Sequence, residues 1–427
     1  MSAIMEDVKR LHHPRRPHFG GRGYFQRVGP GLITGAADDD PSGIGTYSQV
    51  GASFGFGFLW TTLASLPMAI AVQEATARLG LFSGQGLARL IKNHFPRWVL
   101  LVALALVVGA NSFNIGADLG SMAAATHLVV PIPQTLLVIL YTIGITALEV
   151  FIPYHQYARV LRWLCVSLMS YVLMLFIINV DWGEVVSGLF IPRLSFTRTE
   201  IAALIALFGT TISPYLFFWQ TSEEVEERLE HPGKFASGIT HLQAMRGDVV
   251  AGMSSGVFVM FAIMVVSAAT LGKNGITNIG TAEQAAQALE PLAGSSAKLL
   301  FTLGIVGVGL LAVPVLAGST SYALAETFNW NEGLSLKMSQ AKAFYGVIVG
   351  SMGLGLLMNF SGLNPVRALY LSAILNGLAA PPLIVMILLL SRRTSILGEH
   401  ASGRLSQGMM ALAAFVSAGL PVLYLFL

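Results

Sequence analysis

Charged residues are scarce in this chain. They make up only 11% of its 427 residues, whereas hydrophobic residues make up 54% and the mean hydropathy is +0.68. Soluble domains usually carry about 25% charged residues. So few charges cannot cover a surface that faces water, but they suit one that faces lipid. We therefore expect a multi-pass protein of the cell membrane, with the lipid bilayer as its first partner.

Cysteine and recognisable catalytic patterns are also lacking. Cys165 is the only cysteine, which excludes an intrachain disulfide and a thiolate metal cluster. No Gly-rich phosphate loop follows a strand, and neither a Ser-His-Asp set nor a paired His/Glu zinc pattern is found. We expect a protein that is not an enzyme and that needs no cofactor, no nucleic acid and no obligate protein partner.

Long apolar runs are what the chain has in abundance. A membrane-spanning helix takes about 20 residues, and the runs lack the alternation of barrel strands. The sequence predicts an all-α integral membrane protein with a basic cytoplasmic tail at 1–27 and about eleven helices. These are placed at 28–55, 58–79, 98–126, 134–153, 160–180, 200–224, 247–271, 297–325, 341–359, 368–391 and 405–427.

Lysine and arginine are distributed unevenly between the segments that join the spans. With the N-terminus in the cytoplasm, internal segments carry 20 of the 25 basic residues. The external side keeps only Arg193, Arg198, Lys273, Lys298 and Arg367. Because segments rich in lysine and arginine stay in the cytoplasm, we expect a cytoplasmic N-terminus and an external C-terminus.

Proline and glycine interrupt two of the predicted spans. The first contains Gly-Ala-Ala-Asp-Asp-Asp-Pro-Ser-Gly at 35–43, and the sixth contains Phe-Gly-Thr-Thr-Ile-Ser-Pro-Tyr at 208–215. Proline removes a backbone donor and clashes with the preceding turn, so each helix should break there. Breaks in the first and sixth spans indicate two inverted repeats of five helices with a site near the midplane. We place the repeats at 28–180 and 200–391, followed by an additional helix at 405–427.

The three acids of the first break predict a cation site. An acid at membrane depth is costly and usually faces a cavity or a partner, and carbonyls freed at the breaks favour a cation. Successive helical residues point about 100° apart, so the three cannot all face one ion. We predict Asp40, beside the break, as the metal ligand, and assign Asp38 and Asp39 to a vestibule wall or to interhelical hydrogen bonds. The alternative is a simple proline kink in each helix, without a ligand.

These residues resemble the Nramp family of divalent metal transporters. The resemblance covers most of the chain and is carried by Gly29 to Trp60, Gln73 to Gly80, Ser83-Gly84, Asp118-Leu119, Gly209 to Pro214 and, weakly, Ser372 to Pro381. It implies the fold first described for leucine transporters, with helices 1 and 6 broken. It also implies that Asp40 is the charged ligand and that the carbonyls of Ala37 and Thr210 are backbone ligands.

The departures from the family pattern bear on the choice of ion. Family members typically read Asp-Pro-Gly-Asn and Met-Pro-His, where this chain has Asp-Pro-Ser-Gly at 40–43 and Ser-Pro-Tyr at 213–215. Gly43 and Ser213 thus occupy emptied ligand positions, while Asn376 contacts either a bound water or a packing partner. Thioethers suit transition metals, whereas oxygen ligands suit magnesium, calcium and manganese. The pattern is similar to the Nramp-related magnesium transporters.

The proton route implied by the family is altered as well. Asp118 matches its aspartate, but Ser121 replaces a glutamate, and Tyr215 and Gln220 replace two histidines. A relay needs groups that titrate near the working pH, so we expect transport that is not coupled to protons.

Polar residues beside the predicted pore leave two questions open. Glu223 and the glutamates at 224, 226 and 227 either line an inner exit for cations or form a solvated turn balanced by Arg228; we favour the solvated turn. Asn111 and Asn114 either line the pore or bond across helices, and for Asn111 we favour the bond.

The leading hypothesis is a carrier that moves Mg²⁺, and also Mn²⁺, as substrate by alternating access. One alternative is a proton-coupled Mn²⁺ or Fe²⁺ carrier of the ordinary Nramp type. Another is a metal sensor that keeps the fold without transport, which a large soluble output domain would favour. A third is a carrier of organic cations or amino acids on the same scaffold.

Overall fold

The structure of the chain is a computed structural model that describes residues 30–152, 168–230 and 238–427. All regular structure in this part of the chain is helical. The α-helices of the N-terminal half are α1 Pro30–Asp38, α2 Pro41–Phe54, α3 Trp60–Ser83, α4 Leu87–His94, α5 Arg97–His127, α6 Gln134–Phe151, α7 Met169–Met174 and α8 Trp182–Phe190.

The remaining helices lie in the second half of the chain. Its α-helices are α9 Arg198–Thr211, α10 Pro214–Glu230, α11 Gly238–Ser267, α12 Ala282–Gln287, α13 Glu290–Ala293, α14 Ala297–Phe328, α15 Lys342–Met358, α16 Pro365–Ser391, α17 Thr394–Leu397 and α18 Arg404–Phe426. A π-helical turn, Ala268–Gly272, extends α11. Four short 3₁₀ segments lie at Gly55–Phe58, Gly294–Ser296, Asn359–Ser361 and Gly398–His400.

The helix bounds follow the predicted spans closely. The main difference is α11, which begins at Gly238 instead of residue 247, because the stretch before 247 is helical but too polar to register as an apolar run. The predicted tail at 1–27 lies outside the described residues, as does the first part of the fifth span, 160–167. Within the described residues, eight helices are long and apolar enough to cross a membrane, or nine if the bent pair Pro41–Phe58 and Trp60–Ser83 counts as one span.

Both predicted breaks are present. The first divides α1 from α2 at Asp39 and Asp40, and the second divides α9 from α10 at Ile212 and Ser213. At 1.5 Å per residue, the 9 residues of α1 and the 14 of α2 extend about 14 and 21 Å. Neither half therefore crosses the hydrocarbon core of about 30 Å alone.

The half-helices are held by long neighbours. Helix α1 packs mainly on α11, α9 on α16, and α10 on α3, while α5 and α16 pack on each other beside the first break. The contact of α1 with α11 is closest at Gly35, where a Cβ atom would lie 2.3 Å from the carbonyl carbon of Gly252. Only glycine permits that approach, which fixes the depth of α1 beside α11.

Candidate metal site

Asp40 lies between α1 and α2 and caps the N-terminus of α2. Its Oδ1 atom accepts hydrogen bonds from the Gly43 N–H at 2.8 Å and from the Ser42 hydroxyl at 2.6 Å. Its Oδ2 atom accepts from Nδ2 of Asn114 at 2.9 Å. Pro41 suits the first position of a helix because its missing N–H would have no partner there. Three donors thus hold a carboxylate that is only 1% exposed.

The second break places a hydroxyl against backbone carbonyls. Ser213 lies between α9 and α10, and its Oγ atom donates to the carbonyl oxygens of Thr210 at 2.8 Å and Gly209 at 3.1 Å. Both are carbonyls of the last turn of α9. The Ser213 hydroxyl therefore satisfies the Thr210 carbonyl.

A tyrosine joins the two breaks. The hydroxyl of Tyr215, at the start of α10, donates to the carbonyl oxygen of Ala37 in α1 at 2.8 Å. The two breaks thus face each other, as an inverted repeat requires. Both carbonyls that the resemblance implies as ligands, those of Ala37 and Thr210, accept a hydroxyl hydrogen bond in this conformation.

Helices α5 and α16 complete the site with amides. The Nδ2 atom of Asn114 donates to Asp118 as well as to Asp40, at 3.0 and 2.9 Å. Asn376 donates to Oδ1 of Asn114 at 3.2 Å, so it makes a packing hydrogen bond, while its own Oδ1 is buried without a partner. Asn111 bonds across to α14, through the Leu316 carbonyl at 3.2 Å and Thr320 at 3.0 Å, as expected.

Asn114 is the site residue to which the sequence reasoning gave too little weight. The available signal was its spacing: it lies four residues before Asp118, so the two share one face of α5. A polar residue one turn from a buried acid, on the same face of a helix in a membrane, indicates a shared hydrogen bond.

Gly43 is packed closely between the two breaks. A Cβ atom at this position would lie 3.3 Å from Oγ1 of Thr210 and 3.3 Å from the ring of Tyr47. A longer side chain here would therefore require Thr210 or Tyr47 to shift. Within the described residues, the side chains that hydrogen-bond to Asp40 or to the two carbonyls do so through hydroxyl and amide groups.

The three neighbouring aspartates differ, as predicted. Asp38 and Asp39 are 1% and 4% exposed, but Oδ1 of each has no hydrogen-bond partner, so the expected interhelical hydrogen bonds are not formed. No group of three or more His, Cys, Asp or Glu side chains within residues 30–152, 168–230 and 238–427 is arranged to hold one metal ion. Asp40 is thus the single carboxylate fixed at the break.

Comparison with known proteins decides the family. The profile described as "Natural resistance-associated macrophage protein-like", Nramp, matches residues 31–427. This chain belongs to the Nramp family. It is 25% identical over 399 residues to the protein named divalent metal cation transporter MntH of Caldanaerobacter subterraneus subsp. tengcongensis, covering 92% of this chain and 90% of that protein. It is also 25% identical over 403 residues to the MntH of Deinococcus radiodurans, covering 90% and 86%.

Solved structures confirm the fold of this Nramp chain. A manganese transporter of Eremococcus coleocola, crystallised with a bis-isothiourea compound, superposes with a TM-score of 0.74 at 17% identity, covering 97% of this chain and 88% of that one. Mhp1, a transporter of the nucleobase-cation-symport-1 family, superposes with a TM-score of 0.61 at 17% identity, covering 93% and 92%. The leucine-transporter-type fold is confirmed, and the relatives are transporters, as expected, and not enzymes.

The glutamates of α10 in this Nramp protein are not a solvated turn. Glu223, Glu224 and Glu226 are 2%, 4% and 8% exposed, because α10 packs between α3 and α14. Glu226 accepts from the Tyr322 hydroxyl and from the Leu334 N–H. The favoured interpretation was therefore wrong: the acids form a buried polar layer on the side where α10 ends.

Basic residues neutralise part of this layer. Glu74 of α3 pairs with Arg78, four residues later, and with Arg246 of α11 at 2.7 Å. Both Glu74 and Arg78 belong to the stretch that carried the resemblance. In the loop after α14, Glu332 lies 2.7 Å from Arg89. Burial and the nearby Glu326 raise the pKa of Glu332 to about 8, so this contact becomes a full ion pair only towards higher pH.

Gln220 is part of the same polar layer. Its Oε1 atom accepts from the Thr34 hydroxyl at 2.5 Å and from Gln73 at 3.4 Å, and its Nε2 atom donates to Glu224 at 2.9 Å. Gln220 thus ties α1, α3 and α10 together. Ser121 donates only to the Asp118 carbonyl, at 2.8 Å.

Proposed function

We propose that this chain carries Mg²⁺, and also Mn²⁺, across the cell membrane by alternating access and without proton exchange. The family and the fold make it a divalent metal transporter of the Nramp type. The observation that favours magnesium is the donor set around Asp40: one carboxylate, hydroxyls, amides and carbonyls, with Ser213 and Gly43 where the family has a thioether and an amide.

Such a set suits a hard ion that keeps part of its water. Magnesium dehydrates reluctantly and is usually held by one or two carboxylates with several waters retained. The Ala37 and Thr210 carbonyls already accept hydrogen bonds from Tyr215 and Ser213. The waters bound to a hydrated ion can donate hydrogen bonds to these carbonyls in place of the two hydroxyls. A bare ion would instead have to be coordinated by both carbonyl oxygens directly. Manganese shares the preference for oxygen ligands.

The membrane potential is a sufficient driving force. The positions of the family's relay residues hold serine, tyrosine and glutamine, which do not titrate near neutral pH. A potential of 100 mV contributes about 2.3 kcal/mol per charge, hence about 4.6 kcal/mol for a divalent ion. The distribution of basic residues favours a cytoplasmic N-terminus, which places the C-terminal end of α10 on the cytoplasmic side. An ion that moves inward would therefore leave the protein at that end.

Uptake into proteoliposomes tests the proposal. The purified chain is reconstituted with a lumenal dye for Mg²⁺ or Mn²⁺ together with a lumenal pH dye, and a potassium potential, negative inside, is imposed. We expect influx of both ions that increases with the potential, at constant lumenal pH. Absence of Mg²⁺ influx would reject the substrate, and acidification of the lumen in step with metal influx would reject uncoupled transport.

A proton-coupled manganese carrier is the second candidate. The observation that favours it is Asp118, a fully buried acid whose Oδ1 has no partner and which is linked to Asp40 through Asn114. Under that function, Asp118→Asn abolishes lumenal acidification. Under ours, the wild-type protein produces none.

A further inference from the structure

Asp38 and Asp39 place two carboxyl groups without partners inside the protein. Neither receives a hydrogen bond from the described residues, and no basic side chain there pairs with either. Burying an unpaired charge is so unfavourable that such a group normally pairs, binds a cation or becomes protonated. Asp40 differs in this respect, because three donors satisfy it.

The two side chains point to one place on α11. A Cβ atom on Gly256 would lie 3.6 Å from Oδ2 of Asp38, 3.6 Å from Oδ2 of Asp39 and 3.3 Å from the carbonyl oxygen of Gly35. Three oxygen atoms therefore lie within 3.6 Å of one point. A methyl group at Gly256 would be in contact with all three.

Helix α11 is built to leave this gap. Gly252 and Gly256 are four residues apart and so face α1 from the same side of the helix. At Gly252 the two backbones are in contact with Gly35, whereas one turn later the helices leave room for the carboxyl groups. The gap lies at the C-terminal end of α1, where the helix dipole favours a cation.

We infer that Asp38, Asp39 and the Gly35 carbonyl form a second divalent-cation site, which receives the ion that Asp40 releases. Two carboxylates and a carbonyl, with water, are a suitable ligand set for Mg²⁺ or Mn²⁺. The site lies on the α1 side of the break, and Asp40 on the α2 side. Ions held at both sites together would repel each other strongly, so the two sites fill alternately. This inference rests on the proposed transport of a divalent cation.

Mn²⁺ binding in an Asp40→Asn background tests the second site. The full chain is purified in lipid nanodiscs, and bound Mn²⁺ is counted by electron paramagnetic resonance during titration. Since this variant lacks the competing charge at residue 40, we expect it to bind one Mn²⁺ per chain, which Mg²⁺ displaces. Adding Asp38→Asn and Asp39→Asn should abolish that binding.

Two glycines of the same helix supply a matched pair of variants. Gly256→Ala places a methyl group in the gap, and we expect it to weaken Mn²⁺ binding in the Asp40→Asn background at least tenfold. Gly247→Ala adds a methyl group where nothing lies within 4 Å, and should change the affinity less than twofold. Gel filtration and circular dichroism verify folding, and if the triple aspartate variant does not fold, the glycine pair decides.

The outcomes separate this inference from the proposed function. If Asp40→Asn binds no Mn²⁺, or binds it equally well with alanine at 256 and at 247, the second site is refuted while transport through Asp40 stands. If instead Asp40→Asn takes up Mg²⁺ as fast as the wild type, the proposed function fails.

Discussion

Replacing Asp40 separates its role in binding the ion from its role in the fold. The carboxylate caps α2 and accepts hydrogen bonds from Ser42, Gly43 and Asn114. From the sequence alone, Asp40→Ala is expected to abolish transport and leave expression largely intact. The structure changes the second half of that expectation, because the side chain also holds the break together.

The two substitutions should differ in stability. Alanine removes the cap, which costs about 1 kcal/mol. It also leaves the Ser42 hydroxyl and one N–H of the Asn114 amide without their acceptor, at about 1–3 kcal/mol each; the other N–H keeps Asp118. The total is about 3 kcal/mol or more. Asparagine is as good a cap as aspartate and keeps one acceptor oxygen, so only the contact with Asn114 is impaired, at a cost of about 1 kcal/mol.

Transport should be lost in both variants. At an effective dielectric constant of 20, one charge 4 Å from a divalent ion contributes about 8 kcal/mol before desolvation. If desolvation cancels two thirds of this, about 2.7 kcal/mol remains, which corresponds to about a hundredfold. We expect kcat/KM for Mg²⁺ uptake to fall at least about a hundredfold in Asp40→Asn and in Asp40→Ala.

Two assays on the same preparations check this. Uptake is measured in proteoliposomes with equal amounts of inserted protein, and stability is measured from thermal unfolding in detergent. The asparagine variant should unfold close to the wild type and be inactive, while the alanine variant should unfold clearly earlier. Uptake by Asp40→Asn within a few-fold of the wild type would refute the assignment, and equal unfolding of the two variants would refute the capping role.

Three further outcomes are expected. Ser213→Met adds a thioether and removes the hydroxyl that donates to the Thr210 carbonyl. The ratio of Mn²⁺ to Mg²⁺ taken up in competition should therefore increase about tenfold. An unchanged ratio would mean that cavity volume, and not sulfur, sets the preference between the two ions. Glu74→Gln leaves the buried Arg78 without its carboxylate partner and should destabilise the protein by about 3 kcal/mol. Glu283→Gln, which breaks an exposed pair, should cost below about 1 kcal/mol; similar losses would contradict this. Glu332 stays protonated in the folded protein up to about pH 8 but ionises earlier when unfolded, so its contribution to stability falls as the pH rises from about 4.5 to 8. The unfolding temperature of Glu332→Gln should therefore decline less over that pH range than the unfolding temperature of the wild type. If the two proteins show the same decline, Glu332 is not responsible for it.

The architecture could be predicted because its signals are local. Hydropathy locates the long helices, and a proline beside glycine or serine locates each break. The length of α11 could not be predicted in the same way, since its polar N-terminal part is helical without being apolar. The short helix α4 was missed because eight amphipathic residues between two spans leave no apolar run.

The site was predicted in part. Asp40 was recognisable from its place beside Pro41, and the difference between the three acids followed from helix geometry. The engagement of the Ala37 and Thr210 carbonyls could not be predicted, because it depends on where the hydroxyls of Tyr215 and Ser213 point. The α10 glutamates are buried because α10 packs between two other helices. The pattern of charges along α10 alone does not indicate that these neighbours cover it.

The contact between Gly35 and Gly252 limits how this carrier can move. Their backbones touch without side chains between them, so neither helix can slide along the other without a collision of main-chain atoms. We therefore expect α1 and the middle of α11 to move together during transport. A bulky residue introduced at Gly252 would force α1 away from α11 and should slow transport, although no side chain that faces the ion is changed.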